Sequence, residues 1–129
     1  MDKKIKVLVV DDEEEVRNIF SRTLDSFGYQ VLTAKDGKEA ITTCHHETPD
    51  IVLLDIKMPD MDGIETLRRI REIDPQEKSA VIMLTGHGDI NTAREAMKLG
   101  AYDYVTKPFD LNFIRSLFEE VIREKECEN

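Results

Sequence analysis

The stretch Pro49-Asp50-Ile51-Val52-Leu53-Leu54-Asp55-Ile56-Lys57-Met58-Pro59 decides the fold of this chain. Four consecutive apolar residues, 51–54, run into Asp55, and a proline bounds the stretch on each side. Such a short apolar run between turn signals predicts a strand that is buried on both faces of a parallel sheet. Ligands bind at the carboxyl ends of strands in open parallel sheets. Asp55 is therefore expected at the ligand-binding edge, although a single aspartate at a strand end is also a common loop cap.

Further short apolar runs predict strands at 5–10, 29–34, 80–84 and 102–105. Each predicted strand is followed by a segment with apolar residues at helical spacing. Alternation of this kind predicts a single doubly wound α/β domain, with a five-stranded parallel sheet, helices on both faces and right-handed crossovers. We place the domain at residues 1–125, and a polar tail or the start of a linker at 126–129.

The helical segments carry their own signals. Gly28 is expected to end the first helix, in which the apolar residues at helical spacing are Val16, Ile19, Phe20, Leu24 and Phe27. His45 and His46 are adjacent and do not share a helix face, which favours a polar helix end over a metal-binding pair. Phe113 lies off the apolar stripe of the last helix, and it either caps the core or belongs to a binding surface.

The composition limits the classes of function. The chain has 129 residues and a net charge of -9. An acidic surface repels phosphate backbones, which argues against direct binding of nucleic acid by this domain. The sequence has no bilayer-length apolar run and no signal-peptide pattern, so we expect a cytoplasmic protein without membrane contact. Cys44 and Cys127 lack Cys-x-x-Cys partners, so free thiols are expected.

Polar residues at four predicted strand ends form the candidate site: Asp11, Asp12, Asp55, Thr85 and Lys107. Three carboxylates held together repel one another, and a divalent cation such as Mg²⁺, which prefers oxygen ligands, removes that repulsion. A carboxylate is also a nucleophile that can form an aspartyl phosphate. The hydroxyl and the ammonium group would then stabilise the charge of the phosphoryl oxygens.

Each of these residues also has a structural interpretation. Asp11 and Asp12 could cap a helix, Thr85 could be a turn hydroxyl, and a lysine such as Lys107 is most often solvated on the surface. The functional interpretation is favoured because four separate strands direct these groups to the same edge of the sheet.

Four sequence segments carry a resemblance to a known family: Val9–Glu13 (VVDDE), Asp55–Gly63 (DIKMPDMDG), Leu84–Gly86 (LTG) and Gly100–Phe109 (GAYDYVTKPF). In this order and spacing, the chain resembles the receiver domain of bacterial two-component response regulators. The resemblance spans nearly the whole chain. It implies a flavodoxin-like fold and a phosphorylation-activated signalling switch rather than a turnover enzyme, one that catalyses only its own phosphorylation and slow dephosphorylation.

The resemblance also implies roles for the site residues. Asp55 would accept a phosphoryl group from a histidine kinase or phosphotransfer protein. Mg²⁺ would be held by Asp11 or Asp12, by Asp55, and by the main-chain carbonyl of Lys57. Lys107 would pair with the phosphoryl group, next to a cis peptide bond that leads to Pro108.

The switch itself is assigned to two residues by the same resemblance. Thr85 would move inward to bond a phosphoryl oxygen, and Tyr104 would change rotamer as it does. This would alter the surface formed by the fourth helix, fifth strand and fifth helix, which would regulate an effector domain or a partner protein, or form a phosphorylation-dependent homodimer. Lys57 and His87 would tune the lifetime of the phosphoryl group, and both remain open to interpretation as solvated loop residues.

Three other classes of protein remain as alternatives. An aspartyl-phosphate-forming phosphatase or phosphotransferase commonly has a second Asp two residues after the first, where this chain has Lys57. A degenerate receiver used as a binding scaffold would not be expected to retain all the strand-end residues. A flavin-binding domain needs a phosphate-binding loop where this chain has the acidic residues 11–14. The segment 85–89 resembles receivers that precede transcription activators, which suggests transcription regulation as the output.

Overall fold

The computed structural model describes residues 4–86 and 90–127, in which five strands alternate with five helices. In chain order they are β1 Lys6–Val10, α1 Glu14–Ser26, β2 Gln30–Ala34, α2 Gly37–Glu47, β3 Ile51–Asp55, α3 Gly63–Ile73, β4 Ala80–Thr85, α4 Ile90–Lys98, β5 Asp103–Thr106 and α5 Leu111–Cys127. The predicted strands and helices are all present, with small differences at their ends.

One sheet joins the strands in the order β2-β1-β3-β4-β5, and every neighbouring pair is parallel. The chain winds in one direction from β1 to β2 and in the other from β3 to β5. The strand order therefore reverses between β1 and β3, which is where such sheets bind ligands. The predicted doubly wound, flavodoxin-like α/β fold is confirmed.

One apolar layer lies on each side of this sheet. Leu8 and Val52 belong to one layer, whereas their neighbours Val9 and Leu53 belong to the other, and all four are fully buried. Because successive side chains of a strand point to opposite faces, a strand covered on both sides must be apolar at every position. The first layer is covered by α2, α3 and α4, and the second by α1 and α5.

Local signals set the ends of the helices. Gly28 follows α1 with a φ of 96°, a conformation that glycine adopts without steric strain. Asp36 and Asp62 cap α2 and α3: their carboxylates accept hydrogen bonds from main-chain amides at 2.8 and 2.9 Å. The cap at Asp62 fixes the start of α3 directly after the loop that leaves β3.

The apolar side chains of Ile19 and Phe113 are on the surface. Periodicity placed Ile19 in the apolar stripe of the first helix, and it left the position of Phe113 open. Ile19 is 55% exposed, whereas the adjacent Phe20 is 3% exposed. Neighbouring residues of a helix point about 100° apart, so only one of the two can face the sheet. Phe113 is also exposed, at 54%, so it does not cap the core.

α5 is the longest helix that the structure describes, and it extends through Cys127, past the predicted domain end at residue 125. Cys127 is exposed, Cys44 is buried in α2, and both are free thiols as expected. Within 4–86 and 90–127, no helix is both long enough and apolar enough to cross a membrane.

Candidate functional site

Three carboxylates meet at the carboxyl edge of the two central strands. Asp11 and Asp12 follow β1, and Asp55 is the last residue of β3, the strand paired with β1. One oxygen from each carboxylate lies within 4.8 Å of the other two. Asp11 and Asp55 are buried, at 1% and 5% exposure, and Asp12 is exposed. The parallel pairing thus brings together the acidic residues that the sequence predicted to cluster.

Main-chain amides orient the two buried carboxylates. The amide of Glu13 donates to Oδ1 of Asp11 at 2.9 Å, and the amide of Lys57 donates to Oδ1 of Asp55 at 3.1 Å. Oδ2 of Asp11 is buried and has no hydrogen-bond partner among the described residues. Burying a carboxylate oxygen without a hydrogen-bond partner costs free energy. We therefore expect a bound water molecule or ion to contact this oxygen.

The charges of the cluster oppose one another. Burial and the neighbouring Asp11 carboxylate raise the pKa of Asp55 from 3.8 to about 6. Burial, and to a smaller extent the charge of Asp12, also raise the pKa of Asp11. The amides of Glu13 and Lys57 and the charge of Lys107 act in the opposite direction on these pKa values. The net effect disfavours full ionisation of the cluster, and a bound cation would reverse it.

Thr85 and Lys107 reach the same edge from β4 and β5. Thr85 ends β4 and is buried, and its hydroxyl donates to the carbonyl of Val105 at 3.5 Å. The amide of Lys107 donates to the carbonyl of Thr85 at 2.9 Å. Both residues are therefore fixed to neighbouring strands through the main chain, while the hydroxyl of Thr85 is held by a long and weak bond.

The segment after β5 has the predicted backbone conformation. The peptide bond between Lys107 and Pro108 is cis, as expected. The Lys107 ammonium lies 5.8 Å from the centroid of the Phe109 ring. Tyr104, in β5, is 39% exposed, whereas its neighbour Val105 is buried. On the adjacent strands β4 and β5, the side chain of Thr85 is thus buried, whereas that of Tyr104 is partly exposed to solvent.

Two residues of this site were not identified from the sequence. A Cβ atom on Gly63 would lie only 2.5 Å from the main-chain oxygen of Asp55, so glycine is required there for the loop to close. Arg17 in α1 donates to the main-chain oxygen of Asp11 at 2.8 Å. The sequence signals were weak: a glycine at a helix start, and an arginine one turn into the first helix.

His45, His46, Lys57 and His87 complete the candidate residues. His45 and His46 are exposed at the end of α2, as predicted for a polar helix end. The side chain of Lys57 is exposed, and His87 lies outside the described residues.

Comparisons with known proteins agree with this geometry. The family model described as "Response regulator receiver domain" matches residues 7–119. Sporulation initiation phosphotransferase F of Bacillus subtilis is 38% identical over 117 residues, which are 91% of this chain and 93% of that protein. A receiver domain protein from Clostridium thermocellum has a structure that matches with a TM-score of 0.91 and 35% identity, over 97% of this chain and 99% of that one.

Other relatives are longer than this chain. The probable transcriptional regulator ycf27 of Guillardia theta is 42% identical over 123 residues, which are 95% of this chain but 47% of that protein. The chain thus spans about half the length, or less, of several curated relatives that it matches. The match to the family model covers the sheet from Val7 onward and the carboxyl ends of all five strands. The chain therefore belongs to the response regulator receiver domain family.

Proposed function

We propose that this chain is a phosphorylation-activated signalling switch that accepts a phosphoryl group on Asp55, in a Mg²⁺-dependent reaction, from a histidine kinase or phosphotransfer protein. One observation carries the proposal. Asp55 is a buried carboxylate at the end of β3, within 4.8 Å of two further carboxylates and under the influence of the Lys107 charge. Its family is one of signalling domains rather than turnover enzymes.

The residues present fit Mg²⁺. The cluster offers only oxygen ligands, and Oδ2 of Asp11 is a carboxylate oxygen that accepts no hydrogen bond from the residues that the structure describes. Asp11, Asp12, Asp55 and the main-chain carbonyl of Lys57 would hold the ion. When bound, the ion supplies positive charge that offsets the repulsion among the carboxylates and the incoming phosphoryl group.

The transfer uses the carboxylate as a nucleophile. A carboxylate oxygen of Asp55 forms a bond to phosphorus, and the bond from phosphorus to the imidazole nitrogen of the donor histidine breaks, so that the imidazole leaves with the electron pair. The Lys107 ammonium would pair with the phosphoryl oxygens, and this role is supported by its charge, which acts to lower the pKa of Asp55. Hydrolysis of the acyl phosphate would later reset the switch, slowly.

The switch follows from the weak bond of Thr85. Its hydroxyl gives up a 3.5 Å bond to the carbonyl of Val105 when it turns to a phosphoryl oxygen, and such a long bond is lost at little free-energy cost. The change reaches β5 through Val105. Tyr104 lies next to Val105 and is half-exposed, so its ring has room to change rotamer.

The output surface would be formed by α4, β5 and α5. Apolar side chains are exposed on these elements, including Ile90, Met97 and Phe113. We propose that this surface binds an effector domain or a partner protein, or a second copy of the chain after phosphorylation. The domain would end near residue 125, the protein would act in the cytoplasm, and the output would be transcription regulation. Lys57 and His87 would tune the phosphoryl lifetime.

The test is phosphorylation by a small donor. The protein is incubated with acetyl phosphate and MgCl₂, and its intact mass is recorded beside a sample treated with EDTA. A gain of a single hydroxylamine-labile phosphoryl group that requires the metal is the expected result. Continuous release of phosphate from simple esters, without a retained adduct, would instead favour a phosphatase. A parent protein that gains no phosphate would contradict the proposal.

A further inference from the structure

We propose that Arg17 is a positioning residue for the metal site: its guanidinium holds the main chain of Asp11, so that the Asp11 carboxylate stays beside Asp12 and Asp55. This inference rests on the proposed function, because it concerns the same Mg²⁺ site. It assigns a role to a side chain of α1 that touches neither the metal ligands' carboxylates nor the phosphoryl group.

The contact comes from the first turns of α1. The amide of Arg17 donates to the carbonyl of Glu13 at 3.1 Å, which places Arg17 one helical turn after the loop. From there, its Nη1 atom reaches back to the carbonyl oxygen of Asp11 at 2.8 Å, in a part-buried position. A hydrogen bond from a charged donor at this distance is among the stronger ones in proteins. Arg17 thus ties the end of β1 to the body of the helix.

The bond completes the set of protein contacts that fix Asp11. Its amide donates to the carbonyl of Ala34 in β2 at 3.2 Å, and its Oδ1 atom accepts from the amide of Glu13 at 2.9 Å. With the Arg17 bond to its carbonyl, the one polar atom of Asp11 left without a partner in the described residues is Oδ2. The contacts therefore fix the Asp11 carboxylate and leave Oδ2 available to a metal ion.

A restraint is needed because the carboxylates repel one another before metal binds. Asp12 and Asp55 each lie close to Asp11, and the loop from Asp11 to Glu13 is short and open to solvent on one side. Without a tie, the loop would relieve the repulsion by moving outward. The site would then have to be reassembled each time Mg²⁺ binds, which lowers the affinity.

The same helix provides a matched control. Arg22 is an exposed residue of α1, and its removal changes the net charge as much as the removal of Arg17. Arg17→Met and Arg22→Met therefore strengthen the long-range attraction of Mg²⁺ in a similar way, because each removes one positive charge, but only the first removes the bond to Asp11. Arg17→Lys keeps a positive donor on a shorter, single-pronged side chain and is expected to recover part of the effect.

The experiment measures the binding of Mg²⁺ alone. Each variant of the 129-residue chain is titrated with MgCl₂, and the affinity is obtained from the rise in the thermal unfolding midpoint and, independently, from calorimetry. We expect Arg17→Met to weaken Mg²⁺ binding roughly 10-fold, as is typical when a residue that supports a metal ligand is lost. Arg22→Met should bind Mg²⁺ like the parent, and Arg17→Lys should lie in between. If Arg17→Met does not fold, the comparison of Arg17→Lys with Arg22→Met replaces it.

The outcomes separate this inference from the proposed function. A parent protein that does not respond to MgCl₂ overturns the proposed function and the role of Arg17 with it. A parent that binds Mg²⁺, with an Arg17→Met variant that unfolds more easily but has the parent's affinity, overturns the role of Arg17 alone. In that case Arg17 stabilises the fold and does not position the metal ligand.

Discussion

The main chain of Gly63 passes so close to that of Asp55 that any side chain on Gly63 would collide with it. A Cβ atom there would be 2.5 Å from the Asp55 carbonyl oxygen and 2.6 Å from the Cα of Ile56. The amide of Gly63 also donates to the carbonyl of Ile56 at 2.8 Å. The loop between β3 and α3 is thus closed at its base, and this closure holds the end of β3, with Asp55, against the start of α3.

We therefore expect Gly63→Ala to impair the site more than its effect on stability explains. The clash is with backbone, which has little freedom to move, so Asp55 and the Lys57 carbonyl must shift. Labelling by acetyl phosphate should slow by on the order of 100-fold, as expected for a displacement of about 1 Å at a reacting group. The rate is measured from intact mass against time.

The control for this variant is Gly28→Ala. Gly28 has a φ of 96° but open space around its Cα, so alanine there strains the backbone without a clash. It should lower the free energy of unfolding by about 1 kcal/mol and leave labelling unchanged. Equal rates for Gly63→Ala and Gly28→Ala would contradict the positioning role of Gly63.

The metal-free protein should become less stable as the pH rises through the titration range of Asp55. Its pKa is raised from 3.8 to about 6, so the folded state binds this proton more tightly than the unfolded chain does. Stability from this group is fully present below pH ~4 and is lost by pH ~6, with a total loss of roughly 1–3 kcal/mol. Urea unfolding in EDTA across this range, for the parent and Asp55→Asn, measures the difference. A parent that gains stability relative to Asp55→Asn as the pH rises would contradict the assignment.

Loss of Lys107 should separate metal binding from phosphoryl transfer. Its charge partly offsets the carboxylates, since it acts to lower the pKa of Asp11 and of Asp55. Lys107→Met should slow labelling at saturating MgCl₂ by about 100-fold, because a preorganised charge is lost from the transition state. Mg²⁺ affinity should not fall, since a positive charge near the cation has been removed. A variant that loses Mg²⁺ binding instead would show that Lys107 supports the metal site.

The Thr85→Ala variant should accept a phosphoryl group, but phosphorylation should no longer change the conformation of β5 and Tyr104. The long bond from Thr85 to Val105 contributes little, so the loss of folding stability should be below about 1 kcal/mol. Amide chemical shifts in β5 and the ring signals of Tyr104 are compared before and after phosphorylation. They should change in the parent and in Thr85→Ser, which keeps the hydroxyl, but much less in Thr85→Ala. Equal changes in all three proteins would exclude Thr85 as the switch.

The two thiols should differ sharply in reactivity. Burial raises the pKa of Cys44 to about 12, so its reactive thiolate is scarce, whereas Cys127 is exposed. A thiol reagent at mildly alkaline pH should label Cys127 rapidly in the folded protein, and label both cysteines in urea. Cys127→Ser provides the control, because it should show almost no fast labelling. Fast labelling of this variant would show that α2 opens readily.

Much of the fold and of the candidate site follows from local sequence signals. The doubly buried β3 is visible as a continuous apolar run, and parallel pairing then brings Asp11 and Asp55 to one edge. No long-range information is needed for this step, because the strand order places β1 beside β3 in such folds. The cis peptide before Pro108 came from the family resemblance rather than from the residues alone.

The features that the sequence did not show depend on how closely atoms distant in sequence approach one another in the fold. The need for glycine at Gly63 arises from a backbone contact with Asp55, and a sequence pattern does not encode that distance. Likewise, the bond from Arg17 to Asp11 depends on how far a flexible side chain folds back over a loop. Periodicity also placed Ile19 and Phe20 on one apolar stripe, but only Phe20 is buried against the sheet, and Ile19 is exposed.

The central claim is that Asp55, and not the carboxylates beside it, receives the phosphoryl group. The most direct test is to phosphorylate the protein with acetyl phosphate and MgCl₂, reduce the acyl phosphate with borohydride, and sequence the peptides by mass spectrometry. Reduction converts a phosphorylated aspartate into homoserine, which marks the site. We predict homoserine at position 55 and none in Asp55→Asn. Homoserine at position 11 or 12 in the parent would contradict the assignment of Asp55 as the phosphoacceptor.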